Sequence, residues 1–263
     1  MKRQSHTLPC ALPRVMVAPN GARKTKADHP ALPLSLDEIL TTASACHAAG
    51  ADGLHLHVRD AAGKHSLDVG LYREALQALN HTVPDMTLQI TTEAVGLYTP
   101  AQQRDVVEQL KPDAVSISVA ELCAEDDMAI TSAFYAFCAD QNIAVQHILY
   151  GETDLQLMNS LFAQGTLDPA HLQLLFVLGR YTTGQQSSAQ DLNPFVTWKD
   201  QYCPAADWGV CAFGQNETLC LQAAHQLGGK IRVGFENSFQ NADGSIAKTN
   251  AERVAEVVSF LDL

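Results

Sequence analysis

Gly53-Leu-His-Leu-His-Val-Arg-Asp60 is the stretch from which the fold can be read. Strand side chains alternate between faces, so His55, His57 and Arg59 share one side and Leu54, Leu56 and Val58 the other. In a closed barrel the apolar set meets outer helices, and two imidazoles point inward near the strand's C-terminal end. Working outward, similar β-rich runs fall at residues 15–18, 86–91, 114–119, 144–149, 172–178, 208–211 and 230–235, with the quoted strand itself at 53–58. Helical patterns separate them at 36–49, 71–79, 101–109, 128–140, 155–164, 217–227 and 251–261, and residues 181–202 carry the least clear helix. Two helix starts show capping boxes, Ser35 with Glu38 and Thr249 with Glu252. Eight strand–helix units in 263 residues average roughly 33 residues each. That count, without a Gly-rich dinucleotide turn after the first strand, points to an α/β fold of the (β/α)₈ TIM-barrel type rather than an open doubly wound sheet. The expected organisation is one barrel domain over 1–263, with residues 1–13 a flexible N-terminal extension.

Composition narrows the function classes. Lys and Arg total 17 against 29 Asp and Glu, a formal charge of −12, which argues against nucleic acid or an anionic membrane as partner. No apolar run is long enough for a transmembrane helix or a secretory signal. The seven cysteines are scattered with no C-x-x-C pair, which suits buried thiols in a reducing cytoplasm better than a disulfide framework.

The chemistry concentrates at two strand ends. Paired imidazoles ending a strand suit Zn²⁺ or a similar divalent ion. In Lys230-Ile-Arg-Val-Gly-Phe-Glu-Asn237, alternation puts Arg232, Gly234 and Glu236 on one face, so Glu236 is expected to end the eighth strand pointing inward. Strands two and eight both flank strand one, about 10 Å apart, within reach of a shared ion. A His₂Glu set leaves coordination positions open for catalysis. The alternative is a Glu236–Arg232 pair on a solvated rim.

Val17-Ala-Pro-Asn-Gly-Ala22, His29-Pro-Ala-Leu-Pro33, Ala48-Ala-Gly-Ala-Asp52, Leu88-Gln-Ile-Thr-Thr92, Phe176-Val-Leu-Gly179 and Gly228-Gly-Lys-Ile-Arg-Val-Gly-Phe-Glu-Asn237, with the histidine strand, carry a resemblance. From residue 14 onward the chain resembles the β-keto acid cleavage enzymes, typified by 3-keto-5-aminohexanoate cleavage enzyme. The resemblance implies a zinc-binding TIM barrel, forming homotetramers, that converts a β-keto acid and acetyl-CoA into acetoacetate and a new acyl-CoA. It implies His55, His57 and Glu236 as zinc ligands and Arg232 as the site arginine that holds a carboxylate or stabilises developing negative charge. Thr91 and Ser116 match hydroxyl positions that contact substrate, and Ser118 stands where relatives can carry asparagine; each is equally readable as an ordinary strand-end hydroxyl. Asn20 and Arg59 are also expected at the substrate.

The departures matter. Asn237 stands where typical members have a proton-transferring aspartate, and an amide has no basic site near neutral pH. Arg23 replaces a common glutamate, and the fifth strand, Val145-Gln-His-Ile-Leu149, lacks the acids of relatives. Glu93 appears where relatives commonly have glycine, so it is expected to supply the missing base or to meet a cationic substrate group, the alternative being a solvent-facing loop glutamate. Arg23, Lys24 and Lys26 are expected either to touch an anionic ligand such as a CoA phosphate or to lie on a solvated loop. Two other outcomes stay open from sequence: metal-dependent aldolase-like or decarboxylating cleavage without CoA, and ligand binding without turnover.

Overall fold

The computed structural model describes residues 11–125 and 127–261. Eight parallel strands form a closed barrel: β1 (Val15–Val17), β2 (Gly53–Leu56), β3 (Thr87–Thr91), β4 (Ala114–Ser118), β5 (Ala144–Leu149), β6 (Gln173–Leu178), β7 (Asp207–Ala212) and β8 (Lys230–Val233). Neighbours in sequence are neighbours in the barrel, and β1 closes it by pairing with both β2 and β8. Eight helices follow the strands in turn: α1 (Leu36–Ala48), α2 (Val69–Thr82), α3 (Pro100–Leu110), α4 (Met128–Asp140), α5 (Glu152–Ala163), α6 (Asn193–Tyr202), α7 (Glu217–Gln226) and α8 (Asn250–Leu261). The architecture is the (β/α)₈ barrel read from the alternation.

Alternation along each strand divides the core in two. Leu54, Leu56, Val115, Ile117, Leu174 and Phe176 point outward and are buried beneath the helices. Each such side chain stabilises the fold by about 1.5–3 kcal/mol relative to exposure. The lumen holds the opposite faces, where Gln89, Gln146 and Ser116 are buried. Residues 1–10 of the expected extension lie outside the described residues, and Leu12 and Pro13 are buried rather than trailing in solvent. The Leu12 N–H donates to the Asp207 carboxylate at 2.8 Å, and Leu12 and Pro13 line small voids beside Met16. They help close the N-terminal end of the barrel.

Helix starts follow local hydrogen bonding. Ser35 and Glu38 form the full capping box at α1. At α8 only half of the expected box forms: Thr249 Oγ1 accepts from Glu252 N at 3.2 Å, while the Glu252 carboxylate takes the Lys248 N–H at 2.9 Å. The unclear stretch resolves into two 3₁₀ turns, Thr183–Gln185 and Ala189–Leu192, before α6. Two strands end earlier than alternation suggests. β2 stops at Leu56, and Val58–Arg59 turns away to pair antiparallel with His65–Ser66. β8 stops at Val233 because Gly234 takes φ +139°, a conformation that L side chains rarely adopt. Among the described residues no helix is long and apolar enough to cross a membrane, and six cysteines are free thiols.

Candidate functional site

The strand ends that disagree with simple alternation build the site. His55 lies inside β2, whereas His57 sits in the break between β2 and the hairpin. Glu236 is not a strand residue sharing the face of Arg232, as its parity implied. It sits in a turn after Gly234, with its N–H donating to Ala18 O at 3.0 Å and the Asn237 N–H to Gly234 O at 2.9 Å. Two glycines make room for that turn. A Cβ on Gly234 would stand 2.5 Å from Ala18 O, and one on Gly21 would stand 2.6 Å from Cγ of Glu236. The turn therefore carries the carboxylate inward over a backbone that has no side chain at the point of contact.

The three groups converge as the metal reading requires. His55 Nε2 and His57 Nε2 are 3.1 Å apart, and Glu236 Oε2 lies 3.6 Å from the first and 3.4 Å from the second. A four-coordinate zinc ion with bonds of about 2.0–2.1 Å separates its ligand atoms by about 3.3–3.4 Å, so the triangle has the size of a metal's ligand set. Hydrogen bonding fixes which nitrogen faces it. The Leu174 carbonyl can only accept, so Gln146 Nε2 donates to it at 3.3 Å and presents Oε1 to Gln89 Nε2 at 3.0 Å. Gln89 Oε1 then faces His55 Nδ1 at 2.8 Å, which must carry the proton. The lone pair of Nε2 is left aimed at the triangle, the second-coordination arrangement expected of a metal-binding imidazole. Glu236 Oε2 has no hydrogen-bond partner. The residues present fit a divalent ion.

Electrostatics hold the donors in ligand form. Burial, with Arg232 adding to it, pushes His55 down to about 3, so its ring is neutral near pH 7. Burial alone would raise Glu236, but the Arg232 guanidinium holds its carboxyl well below the usual range. Arg232 Nη2 donates to Glu236 Oε1 at 3.1 Å, and its Nε and Nη1 have no partner.

A cavity of about 160 Å³ opens over the triangle at the C-terminal ends of the strands, the end at which barrels of this kind carry their active sites. Of the residues expected at the site, Asn20, His55, Thr91, Glu93, Arg232 and Glu236 line it. Asn20 Nδ2 donates to the Pro33 and His57 carbonyls at 3.0 and 3.2 Å, which positions the second histidine. Glu93 lies 3.6 Å from Arg180, and its N–H donates to Thr91 Oγ1 at 3.0 Å. The basic loop divides: Arg23 and Lys24 reach the cavity, whereas Lys26 pairs with Glu38 at 2.7 Å away from it. Lys24 Nζ donates to Phe235 O at 2.8 Å and lies 4.3 Å from the Phe239 ring centroid. Burial pushes this amine down to about 8.

Five expected residues stand off the cavity wall, and of these His57 still joins the triangle through its Nε2. Arg59, turned away by the hairpin, donates to the carbonyls of Gly21, Lys24 and Gly63, so it fastens the β1 loop instead of facing substrate. Ser118 caps the one-turn helix Val119–Leu122. Ser116 and Asn237 are buried with no partner for their side-chain polar atoms. Conversely, Gln89, Gln146 and His65 escaped sequence reading. The glutamines lie on inward faces of β3 and β5, an alternation signal that was available but attached to no reactive group. His65 comes from the hairpin, with its ring 5.2 Å from that of His57.

Comparison with known proteins gives the family. A family model described as beta-keto acid cleavage enzyme matches residues 14–263. A 3-keto-5-aminohexanoate cleavage enzyme of Fusobacterium nucleatum is 27% identical over 245 residues, 90% of this chain and 87% of that protein. A 3-oxoadipate:acetyl-CoA acetyltransferase of Cupriavidus necator is 23% identical, over 97% of this chain and 89% of its own length. The ternary complex of ObcA with C4-CoA adduct and oxalate superposes with a TM-score of 0.70 at 16% identity, a likeness of fold. That match covers 88% of this chain but only 64% of the other, so this chain spans less than two thirds of it. With the family match running along nearly the whole barrel, the chain belongs to the β-keto acid cleavage enzyme family.

Proposed function

We propose that this chain is a divalent-metal-dependent C-acyltransferase, with zinc the ion best suited to two imidazoles and a carboxylate. Its reaction converts R–CO–CH₂–COO⁻ and acetyl-CoA into acetoacetate and R–CO–S-CoA. The C2–C3 bond of the keto acid breaks, C2 bonds to the acetyl carbonyl carbon, and the thiol sulfur passes from acetyl to R–CO. The carrying observation is the convergence of His55, His57 and Glu236 on one another, with His55, Glu236 and Arg232 lining one cavity. A bound ion there acts as a Lewis acid toward the keto oxygen and carboxylate, worth several kcal/mol at an enolate-like transition state.

The chain's own groups supply the rest. Arg232 has two nitrogens without partners and is assigned the substrate carboxylate. Thr91 Oγ1 accepts from Glu93 N, so its hydroxyl hydrogen is free to donate to substrate. Glu93 is the carboxylate on the cavity wall outside the triangle and is assigned the C2 proton, in place of the aspartate that Asn237 replaces. Arg23 and Lys24 put positive charge at the rim, suited to CoA phosphates. The family resemblance also carries the expectation of a homotetramer, which light scattering reads directly.

The test is acetoacetate formation from acetyl-CoA and a panel of β-keto acids, on protein stripped with chelator and reloaded with zinc. Activity should vanish with the metal and return with it. Acetoacetate formed equally by stripped and loaded protein overturns the metal role; product formed without acetyl-CoA favours cleavage of the aldolase or decarboxylase type instead.

A further inference from the structure

The cavity has two unlike walls. One side carries His55, Glu236 and Arg232; the other is apolar, made by Ile148 from β5, Val177 from β6 and Phe213 just beyond β7. These three pack with Leu175 and Cys211 into a hydrophobic cluster of their own, separate from the main core, with Tyr150 against it. This greasy patch lies on inward faces, beside the polar lumen residues Gln89, Gln146, Ser116 and Thr91, and so points away from the helices. Above it the charges are mutually engaged. Arg180, at the end of β6, meets Glu93, at the end of β3, 3.6 Å across the mouth, and its guanidinium lies 5.2 Å from the Phe213 ring centroid.

We infer that the acyl group R–CO that this chain transfers carries a short, uncharged, apolar R, seated on Ile148, Val177 and Phe213 beneath the Glu93–Arg180 pair; the inference rests on the β-keto acid reading above. A charged R would lose its hydration against that wall. It would also have to displace an existing partner from Glu93 or Arg180, each of which already has one within the same molecule. The cavity, about 160 Å³ overall, limits R to a few carbons.

Three six-carbon keto acids separate the possibilities: 3-oxohexanoate, with an apolar end; 3-oxoadipate, with an anionic end; and 5-amino-3-oxohexanoate, with a cationic end. With acetyl-CoA and zinc-loaded enzyme, kcat/KM for 3-oxohexanoate should exceed that for each charged acid by about 100-fold. Val177→Ala should raise the ratio of 3-oxoheptanoate to 3-oxohexanoate turnover about threefold or more by deepening the wall. Preference for the cationic acid would overturn the inference in favour of Glu93 as an ammonium receptor, and preference for the anionic acid in favour of Arg180 as a carboxylate receptor. If no acid turns over, the acyltransferase reading fails. The order of the three acids in raising the Tm of the zinc-loaded protein then still decides the wall: the largest shift with 3-oxohexanoate supports it, and any other order, or equal shifts, overturns it.

Discussion

Two arginines are buried against glutamates on either side of β8, and they are treated in opposite ways. Arg253, on α8, engages both terminal nitrogens: Nη2 donates to Glu217 at 2.8 Å and Thr218 at 2.9 Å, and Nη1 to Asn241 and Glu256. Arg232, in the lumen, has a single hydrogen bond, to Glu236. Around Arg232 the polar atoms left without partners include Glu236 Oε2, His57 Nδ1 and the Asn20 amide oxygen. Around Arg253 they are its Nε and the second oxygen of Glu217. Both clusters bear the desolvation cost of buried charge. One spends its hydrogen bonds within the fold, tying α7 and α8 together; the other leaves several hydrogen-bonding groups uncompensated, which is how a site awaiting ligands differs from a structural pair.

The contrast breaks if the two clusters respond alike to mutation. His57→Ala should lower acetoacetate formation by about 10³-fold or more, while the denaturation midpoint of metal-free protein holds or rises, since the side chain has few native partners to lose. Arg253→Met should do the reverse. Stranding Glu217 and Glu256 without their shared cation costs about 3 kcal/mol or more in chemical denaturation, while kcat in protein that remains folded stays near wild type. Loss of stability in the first variant equal to that in the second would remove the distinction.

A finer probe uses protons inside the Arg253 cluster. Burial pushes Glu217 up to about 7 despite the opposing Arg253, and its unpartnered Oε1 offers a place for the proton. The folded-state carboxyl is thus raised above its ordinary value of 4.5, so the folded chain binds this proton more tightly than the unfolded one. Its contribution to stability is fully present below about 4.5 and is lost as pH rises through about 7. Glu217→Gln, a mimic of the protonated form, should therefore gain on wild type by about 1–3 kcal/mol between those limits. Urea midpoints of the two proteins measured across that range, and found parallel, would place a charged Glu217 on Arg253 throughout.

Legibility from sequence followed how local the controlling physics is. The barrel and His55 were readable because both rest on the two-residue period of a strand. Glu236 does come beside the two histidines, but the geometry that brings it inward is a glycine-opened turn rather than strand alternation, and Gly21 with Gly234 was the available sign. Arg59 was misplaced for a related reason. The hairpin closing at Gly63 removes it from the strand, with Asp60 Oδ1 accepting from the N–H groups of Ala62 and Lys64, and alternation does not continue through a turn. Ser118 read as a strand-end hydroxyl because its partner, the Glu121 N–H, belongs to a helix of a single turn. The division of the cavity into charged and apolar walls depends on which strands face each other across the lumen, which no local window contains.

Gln89 sharpens the comparison most finely, because it supports the uncompensated cluster without belonging to it. It pairs in register with His55 and transmits the acceptor character of the Leu174 carbonyl, through Gln146, to His55 Nδ1. Gln89→Leu keeps the volume close but removes the acceptor, so Nδ1 no longer selects the proton and the ring is free to present N–H to the triangle. Zinc affinity should fall about 10- to 100-fold, the scale of such second-coordination changes, with less effect on activity at saturating zinc. Gln89→Glu should recover most of the affinity, because a carboxylate accepts the same proton. Zinc titration of the three proteins against a chelating dye provides the measurement. If Gln89→Leu binds as tightly as wild type, the relay does not orient His55, and the triangle is held by packing alone.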